Sequence, residues 1–514
     1  MVLTSILILG ALSSLAFASP APVQELPVEE ILDANVTPFR VVNVPTKTLL
    51  ARADVLSKIT GGVNSVLNEL GSAIPSYVAS GVPNFFQEFP TKDKVQSSLG
   101  LDDAQVRALP TNVLNLPPYG NWTDRGWNIR FHGNVYKQPS TNQSVIDSLA
   151  NKFLIGTDVK DLPPDQQAQA RNFTRSIFVI QQEDLNVTMR LQPAPSAGSS
   201  GQPGGGGAVT APGGSQEIRL PYPTTDQGDY DVFMPIQSNG LVDGTSTELI
   251  QRLNVYAEGS DLGNATAYLV PPTGFTIISD IDDILRVTKI YQPKEGLLNS
   301  FARPFVPWLN MPDIYANWAK EYPNMHFHYL TTTPEQVTRN YMDYIYKTYP
   351  GGSFDTRPLN FSDVSATLKI RRFLLDKIFA TYPNRKFILV ADTSNSDVMS
   401  AYPDLAHKHP NQVQCIFLRN TSSTDSGDKF PYNTKGFEGL ANNTYMFFNV
   451  PDDLRGLDIA NQKCLNQSIK QNLTFGYQDE AIGIHGSGAE MLGARRGSMV
   501  GLVAALAVAV VLFT

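Results

Sequence analysis

The sequence predicts an α/β chain: a mostly parallel sheet with covering helices, preceded by a small β-rich domain. Three observations predict it. From residue 271 onward, short apolar runs alternate with helix-patterned segments, as βαβ units require. Between 120 and 270 the runs instead alternate apolar and polar residues, the period of half-buried strands. The chain has 514 residues, 42% of them hydrophobic and 17% charged, so a large core can be buried. The net charge of −8 argues against a general nucleic-acid binder. Two cysteines exclude a disulfide-framework protein and a cysteine-built zinc array.

Taken in order, residues 1–18 carry an apolar run, Ile6 to Leu15, ending in Ala16-Phe17-Ala18. That is the form of a secretory signal peptide cleaved before Ser19. Residues 19–119 read as a helical or irregular region and linker. Asp102 or Asp103 caps a short helix there, and Pro117-Pro118 and Gly120 mark the linker at 109–120. Residues 120–270 are the β-rich domain. Trp127 to Tyr136 forms a strand with a turn at Gly133, and Arg175 to Met189 and 217–256, including Tyr230 to Met234, give further strands. The Gly/Ser/Pro-rich stretch 193–214, with Gly204 to Gly207, reads as a flexible loop. A phosphate-cradling loop would need a following Lys-Ser/Thr, which is missing there.

Residues 271–450 form the α/β domain. Strands are expected at Phe275–Ile278, Phe327–Leu330, Lys386–Val390 and Val413–Leu418. Helices are expected at Met311–Ala319 and Ile370–Ala380, with another opened by a Thr333 cap and Pro334 in its first turn. Residues 451–487 are a C-terminal tail, and 488–514 read as a GPI-attachment propeptide. Ser487-Gly488-Ala489 supplies small residues, Glu490 to Ser498 a polar spacer, and Met499 to Thr514 an apolar tail. Ser487 is the expected lipidation site, with Gly486 or Gly488 next; a tail-anchored transmembrane helix is the competing reading. Eleven sequons fit a secretory route. Asn35 is the poorest acceptor, because Pro38 follows Thr37. The expected glycosylation sites are Asn121, Asn142, Asn172, Asn186, Asn264, Asn360, Asn420, Asn442, Asn466 and Asn472. Cys415 and Cys464 either form one disulfide or leave Cys415 a buried thiol. Together these signals place the chain on the extracellular face of the plasma membrane or in the cell wall.

The chemistry falls at strand ends, where reactive groups of parallel sheets sit. Ser279-Asp280-Ile281-Asp282-Asp283 follows the first strand, Thr331-Thr332-Thr333 the second, and Ala391-Asp392 to Asp397 the third. Three carboxylates within four residues repel in a dry interior, and a divalent cation between them removes the conflict.

Asp280-Ile-Asp282-Asp283 after an apolar strand resembles motif I of the haloacid dehalogenase-like phosphatases. Phe327-His-Tyr-Leu-Thr331-Thr-Thr333-Pro334 resembles the "FHYLSxSP" segment of the actin-patch-type phosphatidate phosphatases. Phe301-Ala-Arg303-Pro304-Phe305 and Tyr382 to Asp392 also resemble that family, and Gly126 to Tyr136 is similar to the β domain that precedes its catalytic unit. The catalytic resemblance covers about 271–420.

It implies a haloacid dehalogenase-like Rossmannoid fold and Mg²⁺-dependent hydrolysis of phosphatidate or a related lipid phosphate through an aspartyl-phosphate. It implies Asp280 as nucleophile, Asp282 as acid and base, Thr331 as a phosphoryl hydrogen-bond donor, and Lys369 as the neutralising cation, with Arg371 and Arg372 as rivals. Asp280, Asp282, Asp392 and Asp397 would be the metal ligands. Ile284 stands where the family has Thr or Val, and Ala391-Asp392-Thr393-Ser394 replaces Gly-Asp-Ser/Asp-Gly/Thr.

His328 is expected to be a packed, hydrogen-bonded histidine, and Trp308 and Phe305 to be core residues rather than a substrate wall. The alternative functions are a catalytically weak cell-surface binding protein on a phosphatase scaffold, a phosphatase of soluble phosphoesters, and a metal-dependent glycosyltransferase using Asp-x-Asp. The expected partners are a lipid phosphate and, through the anchor, a membrane surface.

Overall fold

The computed structural model describes residues 92–478, apart from 155–156, 178, 195–207, 226, 261–262, 358–363, 429–430 and 472. The expected signal peptide, most of the 19–119 region, Asn35, Asn360, Asn472, Ser487 and the 488–514 propeptide lie outside the described residues, as does most of the 193–214 loop. Among the described residues no helix is long and apolar enough to cross a membrane.

A mixed ten-stranded sheet, mostly antiparallel, comes first. Its strands are β1 (Thr111–Asn115), β2 (Tyr119–Thr123), β3 (Gly126–Lys137), β4 (Ile180–Gln181), β5 (Thr188–Pro193), β6 (Val209–Thr210), β7 (Gln216–Arg219), β8 (Asp229–Pro235), β9 (Gln251–Ala257) and β10 (Asn264–Val270). The backbone of the sheet runs β1-β3-β2-β10-β9-β5-β7, with β8 and β4 also on β3 and β6 on β9. Three expectations change here. The linker at 109–120 supplies β1 and the start of β2, since Val113 and Leu114 are buried by pairing with β3. Gly133 is not a turn, because β3 runs through it. Its missing side chain lets β1 approach: a Cβ there would lie 2.0 Å from the Leu114 carbonyl oxygen. The region is also not all β, because helices Gln143–Phe153 and Pro164–Ile177 cross it, so Arg175 to Ile177 is helical.

The α/β unit follows. Strands β11 (Phe275–Asp280), β12 (His326–Pro334), β13 (Ser353–Arg357), β14 (Lys386–Asp392), β15 (Val413–Arg419) and β17 (Tyr445–Phe448) form one parallel sheet, ordered β13-β12-β11-β14-β15-β17. Strands buried on both faces read as continuous apolar runs, and Ile277, Ile278, Ile388 and Leu389 are wholly buried. Strands β13 and β17 extend the expected sheet at its two edges. Strand β12 continues to Pro334, so Thr333 is extended rather than a cap, and the helix starts at Glu335. Helix Val364–Thr381 begins a turn or more before the expected Ile370.

One sheet face packs on Met311–Glu321 and the chain's later loops through Trp308, Trp318, Tyr329 and Phe417. The other packs on Val364–Thr381, Ser396–Lys408 and the β-rich sheet, whose Tyr119, Phe233 and Tyr268 enter the same core as Ile278 and Leu330. Residues 451–478 are not a loose tail. Strand β18 (Tyr477–Gln478) pairs with β16 (Tyr432–Asn433), Gln471 hydrogen-bonds both backbone groups of Phe447 on edge strand β17, and Cys464 is disulfide-bonded to Cys415. The bond resolves the choice between disulfide and free thiol.

Charge also joins the two sheets. Arg130 on β3 makes two 2.7 Å hydrogen bonds to Asp231 on β8 and one of 2.5 Å to Asp355 on β13. Lys377 stands 3.4 Å from Asp231 and 3.6 Å from Asp355. His328 and His326 share the Ser353 hydroxyl at 2.8 Å each, so His328 is a buried, hydrogen-bonded histidine as expected. Such a network has two cations and two carboxylates, which keeps the charge balanced in a dry interior.

Candidate active site

The parallel sheet aligns the ends of four neighbouring strands. Asp280 ends β11, Thr331 lies near the end of adjacent β12, Asp392 ends β14, and Arg419 ends β15 in register with Asp392. Asp280 is 2% exposed and Asp392 wholly buried. Burial, then the nearby Asp392 and Asp282 charges, push the Asp280 carboxyl up to about 7 against the pull of Arg371. Its Oδ1 accepts from the Ile281 N–H at 2.9 Å, and its Oδ2 lies 2.9 Å from Arg371 Nη2.

Arg371 is the cation beside the Asp280 carboxylate. It sits on helix Val364–Thr381, is 1% exposed, and its Nε also donates to Asp397 Oδ2 at 3.0 Å. Burial opposes its charge, but Asp280 and Asp397 raise its pKa above the ordinary arginine value, so it stays protonated. Its buried Nη1 has no hydrogen-bond partner, nor does the hydroxyl of nearby Tyr402. Lys369 lies on the same helix, and its side chain is outside the described residues. Arg372 pairs instead with Asp404 on the neighbouring helix.

After β11 the chain turns sharply. Asp283 adopts a left-handed conformation (φ 59°), and its carboxylate accepts from the amides of Thr288, Lys289 and Ile290 at 3.0, 2.8 and 3.1 Å. The buried carboxylate, accepting from three backbone N–H groups, holds this aspartate in a conformation that non-glycine residues seldom adopt. Burial and then Asp392 push its carboxyl up to about 6. Arg419 Nη1 donates to the Asp283 carbonyl at 2.6 Å and its guanidinium lies 4.2 Å above the Trp308 ring. Trp308 is thus a core residue supporting the site, and Phe305 packs on the same core.

Asp282 lies in the turn and is 13% exposed at its side chain. Its Oδ1 is claimed by Arg286 and Thr288, and Thr331 Oγ1 stands 3.5 Å from its Oδ2. Asp392 Oδ1 accepts from the Ser394 amide at 2.8 Å, the Ser394 hydroxyl, and Thr421 Oγ1 at 3.2 Å, while its buried Oδ2 has no partner. Burial raises the Asp392 carboxyl.

The four expected metal ligands are therefore not equivalent. Among the described residues no three His, Cys, Asp or Glu side chains form a ready ligand cluster. Arg371 engages Asp397 Oδ2, and Arg286 and Thr288 engage Asp282 Oδ1. Asp280 and Asp392 fit a hard divalent cation: both are buried carboxylates that repel, and the orphaned Asp392 Oδ2 is an oxygen donor without a proton to accept. Arg419 and Arg286 were not picked out from the sequence. Both carry a signal: Arg419 ends a strand, and Arg286 stands four residues after Asp282.

Of the expected glycan acceptors, Asn142, Asn172, Asn264 and Asn442 are exposed, while Asn186, Asn420 and Asn466 are half-buried. Asn121 differs from these. It is 8% exposed on β2, and its amide donates to the Thr381 carbonyl at 3.2 Å.

Residues 275–420 match the family model described as phosphatidate phosphatase APP1, catalytic domain. Comparison with curated proteins finds no match.

Proposed function

We propose that the α/β unit, whose residues 275–420 match the phosphatidate phosphatase catalytic-domain model, works as such an enzyme, and that the chain hydrolyses phosphatidate or a related lipid phosphate monoester through an aspartyl-phosphate on Asp280. The observation that carries this reading is Asp280 itself, a buried carboxylate at a strand end, held 2.9 Å from a buried arginine. A phosphomonoester is anionic, so a carboxylate attacks it only where cations mask both charges. Arg371 masks the nucleophile's charge and holds its orientation. Thr331 offers a hydroxyl to a phosphoryl oxygen. Asp282 gives a proton to the departing oxygen and recovers one from the hydrolytic water. Asp280 and Asp392 would hold Mg²⁺, which when bound supplies charge neutralisation at the transferring phosphoryl group. The strand order and the strand-end carboxylates support a haloacid dehalogenase-like assignment of the fold.

The reading extends to location. A secretory leader, exposed sequons and a GPI signal at Ser487 would put the enzyme on an outer membrane leaflet or in the wall. The test is phosphate release from phosphatidate in Mg²⁺, comparing the wild type with Asp280→Asn. Release by the wild type alone is expected; equal release by both proteins overturns the enzyme reading.

A further inference from the structure

Asp282 is gripped through one oxygen. Its Oδ1 accepts from Arg286 Nε at 3.1 Å, Arg286 Nη2 at 2.8 Å and Thr288 Oγ1 at 2.8 Å. Three donors on one oxygen fix the rotation of the carboxylate. Oδ2 is consequently turned to the β11–β12 edge, where Thr331 Oγ1 lies 3.5 Å away.

Arg286 is itself immobilised. It is wholly buried, its Nη1 donates to the Asn299 carbonyl and its Nη2 to Ser300 Oγ, both at 3.2 Å. Its guanidinium lies 4.5 Å from the centre of the Phe305 ring, which stacks on Phe173 and meets Tyr344 edge-on, each at 5.6 Å. Backbone bridges join Asp282 to Arg286 and Arg286 to Pro307. An arginine that only neutralised a surface carboxylate would need none of this support.

On the phosphatase reading above, we infer that Arg286 is a positioning residue that makes Asp282 Oδ2 the proton-carrying oxygen of the reaction. In the first step the Asp280 carboxylate forms a bond to phosphorus. The phosphorus–alkoxide bond breaks, its electron pair stays on the leaving oxygen, and the proton on Asp282 Oδ2 passes to that oxygen to give the alcohol. In the second step Asp282 Oδ2 takes a proton from water. The water oxygen attacks phosphorus, the bond to Asp280 breaks, and inorganic phosphate leaves with the Asp280 carboxylate restored. An alkoxide is a poor leaving group and depends on the first proton, whereas an aryl oxide does not.

The experiment measures first-turnover alcohol release from a lipid phosphate and from an aryl phosphate that the wild type turns over. Arg286→Gln is expected to slow the lipid phosphate about 100-fold and the aryl phosphate less than about 5-fold, with KM changed less than about 2-fold. Arg286→Lys recovers part of the loss. Thr288→Val leaves Arg286 in place and gives a smaller loss of the same selectivity, and it decides the matter if Arg286→Gln does not fold. Equal losses on both substrates, a loss confined to KM, or no loss overturns the inference. Wild-type release by Asp280→Asn instead overturns the phosphatase reading, and the inference with it.

Discussion

Arg371 bridges Asp280 and Asp397: its Nη2 lies 2.9 Å from one carboxylate and its Nε 3.0 Å from the other. This fork puts a guanidinium on the carboxylate proposed as the nucleophile, the place the sequence reading gives to Lys369. Arg371→Ala should lower kcat about 100- to 1000-fold, the usual effect of deleting one charge-stabilising donor. Arg371→Lys should recover only part, because a point charge cannot span both carboxylates. Lys369→Ala should leave most of the activity. Steady-state kinetics on the three variants checks this, and a larger loss from Lys369→Ala would return the role to the lysine.

If Asp280 and Asp392 hold Mg²⁺ as proposed, the raised carboxyls should make its binding pH-dependent. Burial pushes the Asp280 carboxyl up to about 7 and the Asp283 carboxyl up to about 6, both above the ordinary 3.8. A raised carboxyl favours the fold at low pH, and that contribution is lost as pH rises through the folded-state value. Mg²⁺ counters the repulsion in that upper range, and below it must displace protons. The rise in Tm produced by Mg²⁺ over EDTA should therefore grow from pH 5 to pH 8. Asp280→Asn should flatten the trend. Scanning calorimetry at four pH values with and without Mg²⁺ measures it.

The Arg130–Asp231–Asp355–Lys377 network should behave as a buried ion network, in which losing one member is costly. Burial opposes the Asp355 charge, yet Arg130 and Lys377 hold its carboxyl well below the usual range. Asp355→Asn should cost about 3–5 kcal/mol in urea unfolding. The neighbouring histidines add an acid limb. Burial lowers His132 to about 3, and lowers His326 and His328 below the ordinary 6.5 as well. The unfolded chain then takes up protons that the fold refuses, so stability should fall as pH drops below about 6.5.

The sequence carried local information well and cross-chain information poorly. Asp280, Thr331 and Asp392 could be located because each directly follows an apolar run, and parallel pairing puts those ends side by side. The guanidinium partners of Asp282 and Asp397 were not legible. Whether a carboxylate faces a metal or a guanidinium depends on Arg286 and Arg371, which reach it through the turn and from a separate helix. Gly133 misled for a similar reason. A glycine in an alternating run suggests a turn, but here it makes room for the Leu114 carbonyl of another strand. Strand β1 looked like linker because Pro117-Pro118 is adjacent, although the prolines lie between strands and not within one.

The disulfide ties that organisation together at the far edge of the sheet. Cys415 lies in β15 and Cys464 in the segment covering edge strand β17, both wholly buried. Their sequence separation is 49 residues, a loop whose closure entropy is worth about 4 kcal/mol in the chain-entropy account. Cys464→Ala should therefore lower unfolding free energy by about that amount. It should also free residues 451–478, whose Gln471 hydrogen-bonds to Phe447 and whose Asp453 accepts from the amides of Asn449 and Val450. Limited proteolysis should then cut first within 451–478 in the variant and elsewhere in the wild type. Phosphate release below the melting point should change little, because Cys415 lies four residues back along β15 from Arg419, whose partner in register is Asp392. Unchanged proteolysis with unchanged stability would mean that the hydrogen bonds of Gln471 and Asp453 hold the segment without the covalent bond.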